Sequence, residues 1–150
     1  MGSSSVRRML LLVVLVAIVL SGCGGGDDGA GDSVKDVVTS LSISDYAGAW
    51  DSLHPAQQRV VPKDLFIRCG VEGENANDPA IENLKVLSSK KVTKDIPWLG
   101  EVDAREVKVR FTQGENDREA FYDVVKQDGS WRWTLTERSL NAFEAGNCPS

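Results

Sequence analysis

From Leu84 onward the chain alternates apolar and polar residues with a period of two, and this alternation limits its folds more than any other feature. Successive side chains of a strand point to opposite faces, so such a run has one packed face and one wet face. Leu84-Lys85-Val86 opens a first strand running to about Val92, and Glu106-Val107-Lys108-Val109-Arg110-Phe111 forms a second. Glu119 to Lys126 forms a third, and Trp131-Arg132-Trp133-Thr134-Leu135 returns after Asp128-Gly129, a strong signal for a type I′ hairpin. A two-residue loop there sets Tyr122 opposite Leu135, Val124 opposite Trp133 and Lys126 opposite Trp131. A four-residue loop at Gly114-Glu115-Asn116-Asp117 sets Val107 opposite Val124, Val109 opposite Tyr122 and Phe111 opposite Ala120. Both turns place Val107, Val109, Phe111, Ala120, Tyr122, Val124, Trp131, Trp133 and Leu135 on one face. Lys108 falls opposite Asp123 on the other, beside Arg110, Arg132, Thr134 and Thr136. Val102 and Ala104 are out of step with Val107, which predicts a bulge in the second strand and leaves Asp103 or Glu106 free to turn inward.

Ahead of the strands the period is helical. Asp32-Ser33 caps a helix with Val34, Val37, Val38 and Leu41 on one stripe, and Ser44 caps a second with Tyr46, Ala49, Trp50 and Leu53. Pro55 stops that helix at or before His54. Pro62 opens a third short helix with Leu65, Phe66 and Cys69 inward and Gly70 as its stop, and residues 71–80 read as a surface loop. Amphipathic helices followed by a half-buried antiparallel sheet make an α+β fold with the helices covering one sheet face.

This order resembles the nuclear transport factor 2-like fold, a cone of helices wrapped in a curved sheet. The segment Tyr46-Ala47-Gly48-Ala49-Trp50-Asp51-Ser52-Leu53-His54-Pro55 is similar to the second-helix motif of that superfamily's small secreted lipoproteins. Phe66-Ile67-Arg68-Cys69, Asp128-Gly129-Ser130-Trp131-Arg132-Trp133 and Gly146-Asn147-Cys148 fit the same group. The resemblance covers about Val34 to Cys148 and implies a fold without fixing a function.

The start of the chain carries a different signal. Arg7-Arg8 precede twelve uninterrupted apolar residues, Met9 to Leu20, too few for a span that takes about 20, so residues 1–22 read as an export signal. The Arg pair leaves twin-arginine export as a second route. Leu20-Ser21-Gly22-Cys23 resembles the lipobox of bacterial lipoproteins. That resemblance implies a diacylglyceryl thioether on Cys23, cleavage after Gly22, palmitate-type acyl chains and a place on the extracytoplasmic face of the cell membrane. More than one acyl chain is what stable anchoring requires. Residues 23–32 then form the lipidated cysteine and its tether, Gly-rich over residues 24–31, and residues 33–150 the domain.

With Cys23 lipidated, Cys69 and Cys148 are an even pair in an oxidising compartment, which predicts a disulfide. A closed loop of roughly 80 residues stabilises by about 4.5 kcal/mol in the chain-entropy account. A redox pair is the alternative, but reactive cysteines usually sit as Cys-x-x-Cys. One His and two bridged Cys supply no metal cluster, and no cofactor motif is present. Of 17 basic residues, Arg7 and Arg8 belong to the leader, leaving 15 against 22 acidic ones, a net charge of −7 with no basic stripe. Nucleic acid and anionic headgroups are poor partners for such a domain.

Enzymes of the resembled superfamily, such as ketosteroid isomerases, place acid–base residues inside the cone. The nine inward positions hold no Asp, Glu or His, and only Tyr122 offers a proton, so no catalytic residue is expected. His54 precedes a proline at a helix end, where capping or packing explains it better than catalysis. The aromatic set of Tyr46, Trp50, Phe66, Phe111, Tyr122, Trp131 and Trp133 serves first as core. Within it Tyr46, Trp50, Tyr122, Trp131 and Trp133, together with His54, are the candidate ligand lining. Trp98 falls in Ile96-Pro97-Trp98-Leu99-Gly100, where burial is not forced, and an exposed Trp there is a hot-spot candidate for an envelope protein. Three function classes follow in order: a non-catalytic binding or interaction module, a carrier of a lipid or small apolar molecule, and an isomerase or dehydratase.

The anchor reading has a direct test. Cys23→Ala should abolish incorporation of labelled fatty acid and leave uncleaved precursor or protein released from the membrane. A variant processed and retained like wild type would overturn it.

Overall fold

The computed structural model describes residues 28–75 and 77–150, so the export signal, the lipobox and Cys23 lie outside the described residues. The helical layer comes first. α1 spans Ala30–Ser42, α2 Tyr46–Asp51, α3 Pro55–Gln58 and α4 Lys63–Gly73, and a last helix, α5, spans Glu137–Glu144. Among the described residues no helix is long and apolar enough to cross a membrane.

Several helix boundaries differ from expectation. α1 begins at Ala30, not after Asp32-Ser33, and Ala30 and Gly31, read as spacer, are its first turn, with Ala30 fully buried. α2 is capped by Asp45, whose carboxylate accepts from Gly48 N at 2.9 Å, while Ser44 takes a left-handed φ of 63°. Pro55 does end α2, but it also opens α3 as its first residue, the position where a missing N–H costs nothing. Gly70 is not a stop: α4 runs on to Gly73. A Cβ at Gly70 would overlap the Tyr46 ring, so the glycine lets α2 and α4 close on each other. α5 was not anticipated; Thr136 caps it, its hydroxyl accepting from Ser139 N at 3.3 Å, and Leu140 and Phe143 are its buried stripe.

Four antiparallel strands follow in the order β1-β2-β3-β4: Ile81–Ile96, Gly100–Gln113, Asn116–Gln127 and Ser130–Trp133. The molecule is thus α+β, helices laid on a curved antiparallel sheet. The β3–β4 turn is as expected, with positive φ at both Asp128 (50°) and Gly129 (82°), and it sets Val124 against Trp133 and Lys126 against Trp131. β4 ends at Trp133, so the Tyr122–Leu135 pair does not form.

The β2–β3 turn differs. Gln113 pairs Asn116, leaving a two-residue Gly114-Glu115 loop with positive φ at the glycine. Every partner moves by two: Val107 faces Tyr122, Val109 faces Ala120, and Phe111 faces Arg118. An even shift keeps each side chain on its face, so the nine residues still share the packed side. Charge pairing changes, however. Lys108 lies opposite Phe121 and pairs with Glu119, while Asp123 is taken by Lys94, whose ammonium reaches both carboxylate oxygens at 2.8 and 3.0 Å.

Around Val102 and Ala104 β2 pairs with β1 residue by residue, from Ser88–Lys108 to Ile96–Gly100, so the expected bulge is not there; the register shifts lie further along the pairing, between Glu82 and Lys85 and between Val86 and Ser88 of β1. Asn83, with φ of 52°, absorbs the first. Val102 and Ala104 are out of step for another reason. They belong to a second apolar cluster with Ile96, Val125, Val92 and Leu99, on the sheet face opposite the main core. The main core gathers Val34, Val37 and Val38 of α1, Leu53, Val61 and Phe66, the sheet residues Val107, Val109, Val124 and Trp133, and Leu140 and Phe143 of α5. Cys69 and Cys148 are disulfide-bonded, as expected, with Cα atoms 5.3 Å apart, tying α4 to the C-terminal tail.

The open edge of β4 is closed by the segment before α3. Leu53 bridges Trp133, and His54 N donates to Trp133 O at 2.9 Å. One turn later Gln57, fully buried, joins three elements. Its amide nitrogen donates to Pro97 O at 3.0 Å and Leu135 O at 3.4 Å, and its oxygen accepts from Leu135 N at 2.7 Å. Leaving buried amide groups without partners costs about 1–3 kcal/mol each. Gln57→Ala should therefore lower unfolding free energy by about 3 kcal/mol in urea titration. Lys108→Ala, on the wet face, should cost under ~1 kcal/mol.

Candidate functional site

At the end of the helical layer where α1 finishes, α2, α4, β4 and α5 leave an open pocket of about 310 Å³. Each wall follows from a local rule. Leu41 ends the apolar stripe of α1, and Tyr46 opens α2 just after the Asp45 cap. Phe66, Cys69 and Gly70 present the inward face of α4, and Ser139 and Phe143 lie one turn apart on α5. Trp133 and Leu135 form the floor, and Pro149 closes a side because the disulfide holds the tail there.

The aromatic walls are locked together. Phe66 meets Trp133 edge-on at 6.2 Å between centroids and Phe143 at 5.7 Å. The Trp133 indole N–H donates to Ala49 O at 2.8 Å, so the ring is fixed and its polar tip is spent inside the fold. The polar groups of the lining are the Tyr46 phenol and the Ser139 hydroxyl. Burial, then hydrogen bonding to the Glu74 carboxylate, raises the Tyr46 phenol above its ordinary range; Glu74 is lowered by its bonds from Ser44 and Tyr46. The arrangement offers apolar surface and a protonated phenol, the chemistry of binding an apolar group with little polar discrimination.

Of the six candidate lining residues, Tyr46 and Trp133 come together here. The other four lie elsewhere. Trp50 donates its indole N–H to Val61 O at 2.8 Å and carries Lys63 5.2 Å from its ring. Trp131 donates to Asp28 O at 2.8 Å and walls a separate groove of about 480 Å³, where Asp28 is held by both the Nε and an Nη of Arg105. Tyr122 is half-buried on the packed face, where burial alone raises its phenol; no carboxylate contributes. His54 caps α3, its Nδ1 accepting from Ala56 N at 3.2 Å.

The carboxylates of α2 and of the central strands have other partners. Asp45 is a cap, Asp51 pairs with Lys63 at 2.6 Å, and Asp123 pairs with Lys94. Glu106 lies on the wet face 3.6 Å from Lys94, and Asp103 is exposed beyond the core, bonded to the Thr93 hydroxyl at 2.8 Å. Neither turns into the main core. The expected lining lacks Phe66, Cys69, Gly70, Leu135 and Pro149 of this pocket, and also Leu41, Ser139 and Phe143. The Thr136 cap followed by Leu140 and Phe143 is the sequence signal that reveals α5 and so the last two. Among the described residues no group of three His, Cys, Asp or Glu side chains could hold a metal ion. No family model matches the chain, and no curated protein or solved structure matches it either.

His54 carries a pH signature. It is only 7% exposed, and burial, helped by the charge of Arg132 and opposed by a Gln127 hydrogen bond, holds its pKa below 6.5. The unfolded chain then binds the proton first, so stability is complete above about pH 6.5 and falls as pH drops below it. His54→Asn keeps a capping acceptor and removes the titration. Chemical denaturation between pH 7 and 5 should show a slope in wild type and a flatter line in the variant; equal slopes would remove His54 as the cause.

Proposed function

We propose that this chain is a lipid-anchored protein of the extracytoplasmic face. In this reading its nuclear transport factor 2-like domain acts as a non-catalytic binding module, taking a small apolar molecule or an apolar side chain of an envelope protein in the pocket beside α5. The observation that carries the reading is the 310 Å³ pocket walled by Leu41, Phe66, Trp133, Leu135 and Phe143. Its rigid aromatic walls favour it as a binding surface, because a preorganised pocket loses little entropy on occupation. The lipobox-like Leu20-Ser21-Gly22-Cys23 and the disulfide expected of an oxidising compartment support the location. Helices followed by a curved four-stranded antiparallel sheet are compatible with the cone architecture.

The carrier reading differs only in whether the bound molecule is delivered onward. The isomerase reading needs a base converging with a phenol on one substrate atom. Tyr46 has Glu74 for a neighbour, but Ser44 and Tyr46 hold that carboxyl below its ordinary range, which makes it a weaker base and favours binding over proton abstraction.

Ser139→Leu places an apolar branch in the pocket without touching the backbone bond from Ser139 N that caps α5. In a chain starting at Asp28, the uncharged dye N-phenyl-1-naphthylamine should brighten on binding. Ser139→Leu should weaken that binding tenfold or more with the thermal midpoint unchanged or raised. Undiminished dye binding in the variant would place the apolar site elsewhere.

A further inference from the structure

The β1–β2 hairpin tip concentrates three choices that local physics disfavours. Leu99 N bonds to Ile96 O at 2.9 Å, closing a turn with Pro97 and Trp98 at its centre. Trp98 has a φ of 68°, a conformation suited to glycine at that position, and its side chain is left 42% exposed. Asp95 and Glu101 are direct cross-strand partners, and both are exposed. Like charges directly opposite one another destabilise a sheet. Among the described residues neither carboxylate has an ion pair or hydrogen bond, although elsewhere on the sheet Glu106, Glu119 and Asp123 all find cations. Glu137, at the start of α5, shares an open groove of about 520 Å³ with Asp95, Ile96, Pro97 and Trp98. Its neighbour Arg138 does not line that groove.

We propose that this hairpin tip is a docking site for a Lys- or Arg-bearing segment of a partner protein, the cationic side chain lying over the Trp98 indole between Asp95, Glu101 and Glu137. A guanidinium or ammonium over an indole face gains cation–π attraction and removes the repulsion between the two carboxylates. An organic cation fits better than a metal, because no three acidic groups among the described residues converge closely enough to chelate one. A protein segment fits better than a free small cation. The groove is open, and its Ile96, Pro97 and Trp98 walls match the aliphatic stem of a side chain held by its own backbone. Local rules broken together, with repulsion that a partner relieves, are the pattern expected where stability has been exchanged for recognition.

None of Asp95, Trp98 or Glu101 lines the apolar pocket, so this inference does not rest on that reading. The test uses the full-length chain in a mild neutral detergent. An uncharged-ended Gly-Arg-Gly-Arg-Gly-Arg peptide should bind, with amide shifts centred on residues 95–101 and 137 and an affinity that falls as salt rises. Trp98→Gly and Asp95→Asn should each weaken binding at least tenfold while leaving the thermal midpoint unchanged or higher, since one removes backbone strain and the other removes repulsion. That combination separates lost recognition from lost folding. Binding undiminished in both variants would overturn the proposal. So would equal binding of a Gly-Glu-Gly-Glu-Gly-Glu peptide, or arginine amide alone binding as tightly as the peptide.

Discussion

The side chain of Gln57 holds together parts of this molecule that no regular hydrogen-bond ladder connects. β1 has 16 residues, roughly 50 Å of extended chain, whereas α1 with 13 residues covers only about 20 Å. The β1–β2 hairpin therefore outruns the helices that should cover it. Its far end must bend and find other partners or remain an unsupported ribbon. Gln57 supplies the partner, accepting Leu135 N beyond β4 and donating to Pro97 O at the hairpin tip. A fully buried amide with these bonds satisfied is stabilising and directional, and it can hold only one arrangement of the three segments. The apolar residues Ile96, Ala104 and Val125, on the face away from the main core, then pack in the bend.

The same constraint explains which parts of the fold were legible in the sequence. Strand faces were legible because a period of two survives an error in turn length. The β2–β3 loop is two residues and not four, yet Val107, Val109 and Val124 keep their side. Charge pairing was not, because it depends on which residue is opposite and not only on parity, so Lys94 and not Lys108 neutralises Asp123. Val102 and Ala104 looked like a bulge because a second small core on the opposite face reverses the alternation, and nothing in a single strand distinguishes the two. α5 was hidden by its shortness: eight residues carry two stripe positions, Leu140 and Phe143. Gln57 has no sequence signature at all. A glutamine in a four-residue helix becomes a structural element only once the distant Pro97 and Leu135 arrive beside it.

Of the candidate site, the aromatic types were legible and their grouping was not. Trp50, Trp131 and Trp133 each donate an indole N–H to a backbone carbonyl of the helical layer or its approach: Val61, Asp28 and Ala49. Three large rings are thus used to fasten helices and chain ends to one another, with the sheet taking part through Trp131 and Trp133. What distinguishes Trp133 is its position where α4 and α5 diverge, so that Phe66 and Phe143 flank it and leave space above. The pocket exists because α5 and the disulfide-held tail arrive from outside the repeating pattern, and only contacts distant in sequence can place them.

Open space among the described residues therefore lies towards the ends of this fold and not between the central strands and α1. The packed sheet face carries valines with zero exposure at 107, 109 and 124, which leave no room for a ligand between sheet and α1. Space remains where elements of unequal length stop covering one another. At one such place apolar walls remain, among α1, α4, β4 and α5. At another, where α3 and the start of α5 reach the β1–β2 turn, the hairpin tip retains exposed charge and Trp98. The two differ in chemistry. The first is lined mainly by apolar and aromatic side chains, and the second gathers carboxylates around one exposed indole. Gln57 reaches the tip through Pro97 O, one residue from Trp98, and also bonds the backbone of Leu135, which floors the pocket. A single buried amide thus touches the backbone beneath both surfaces.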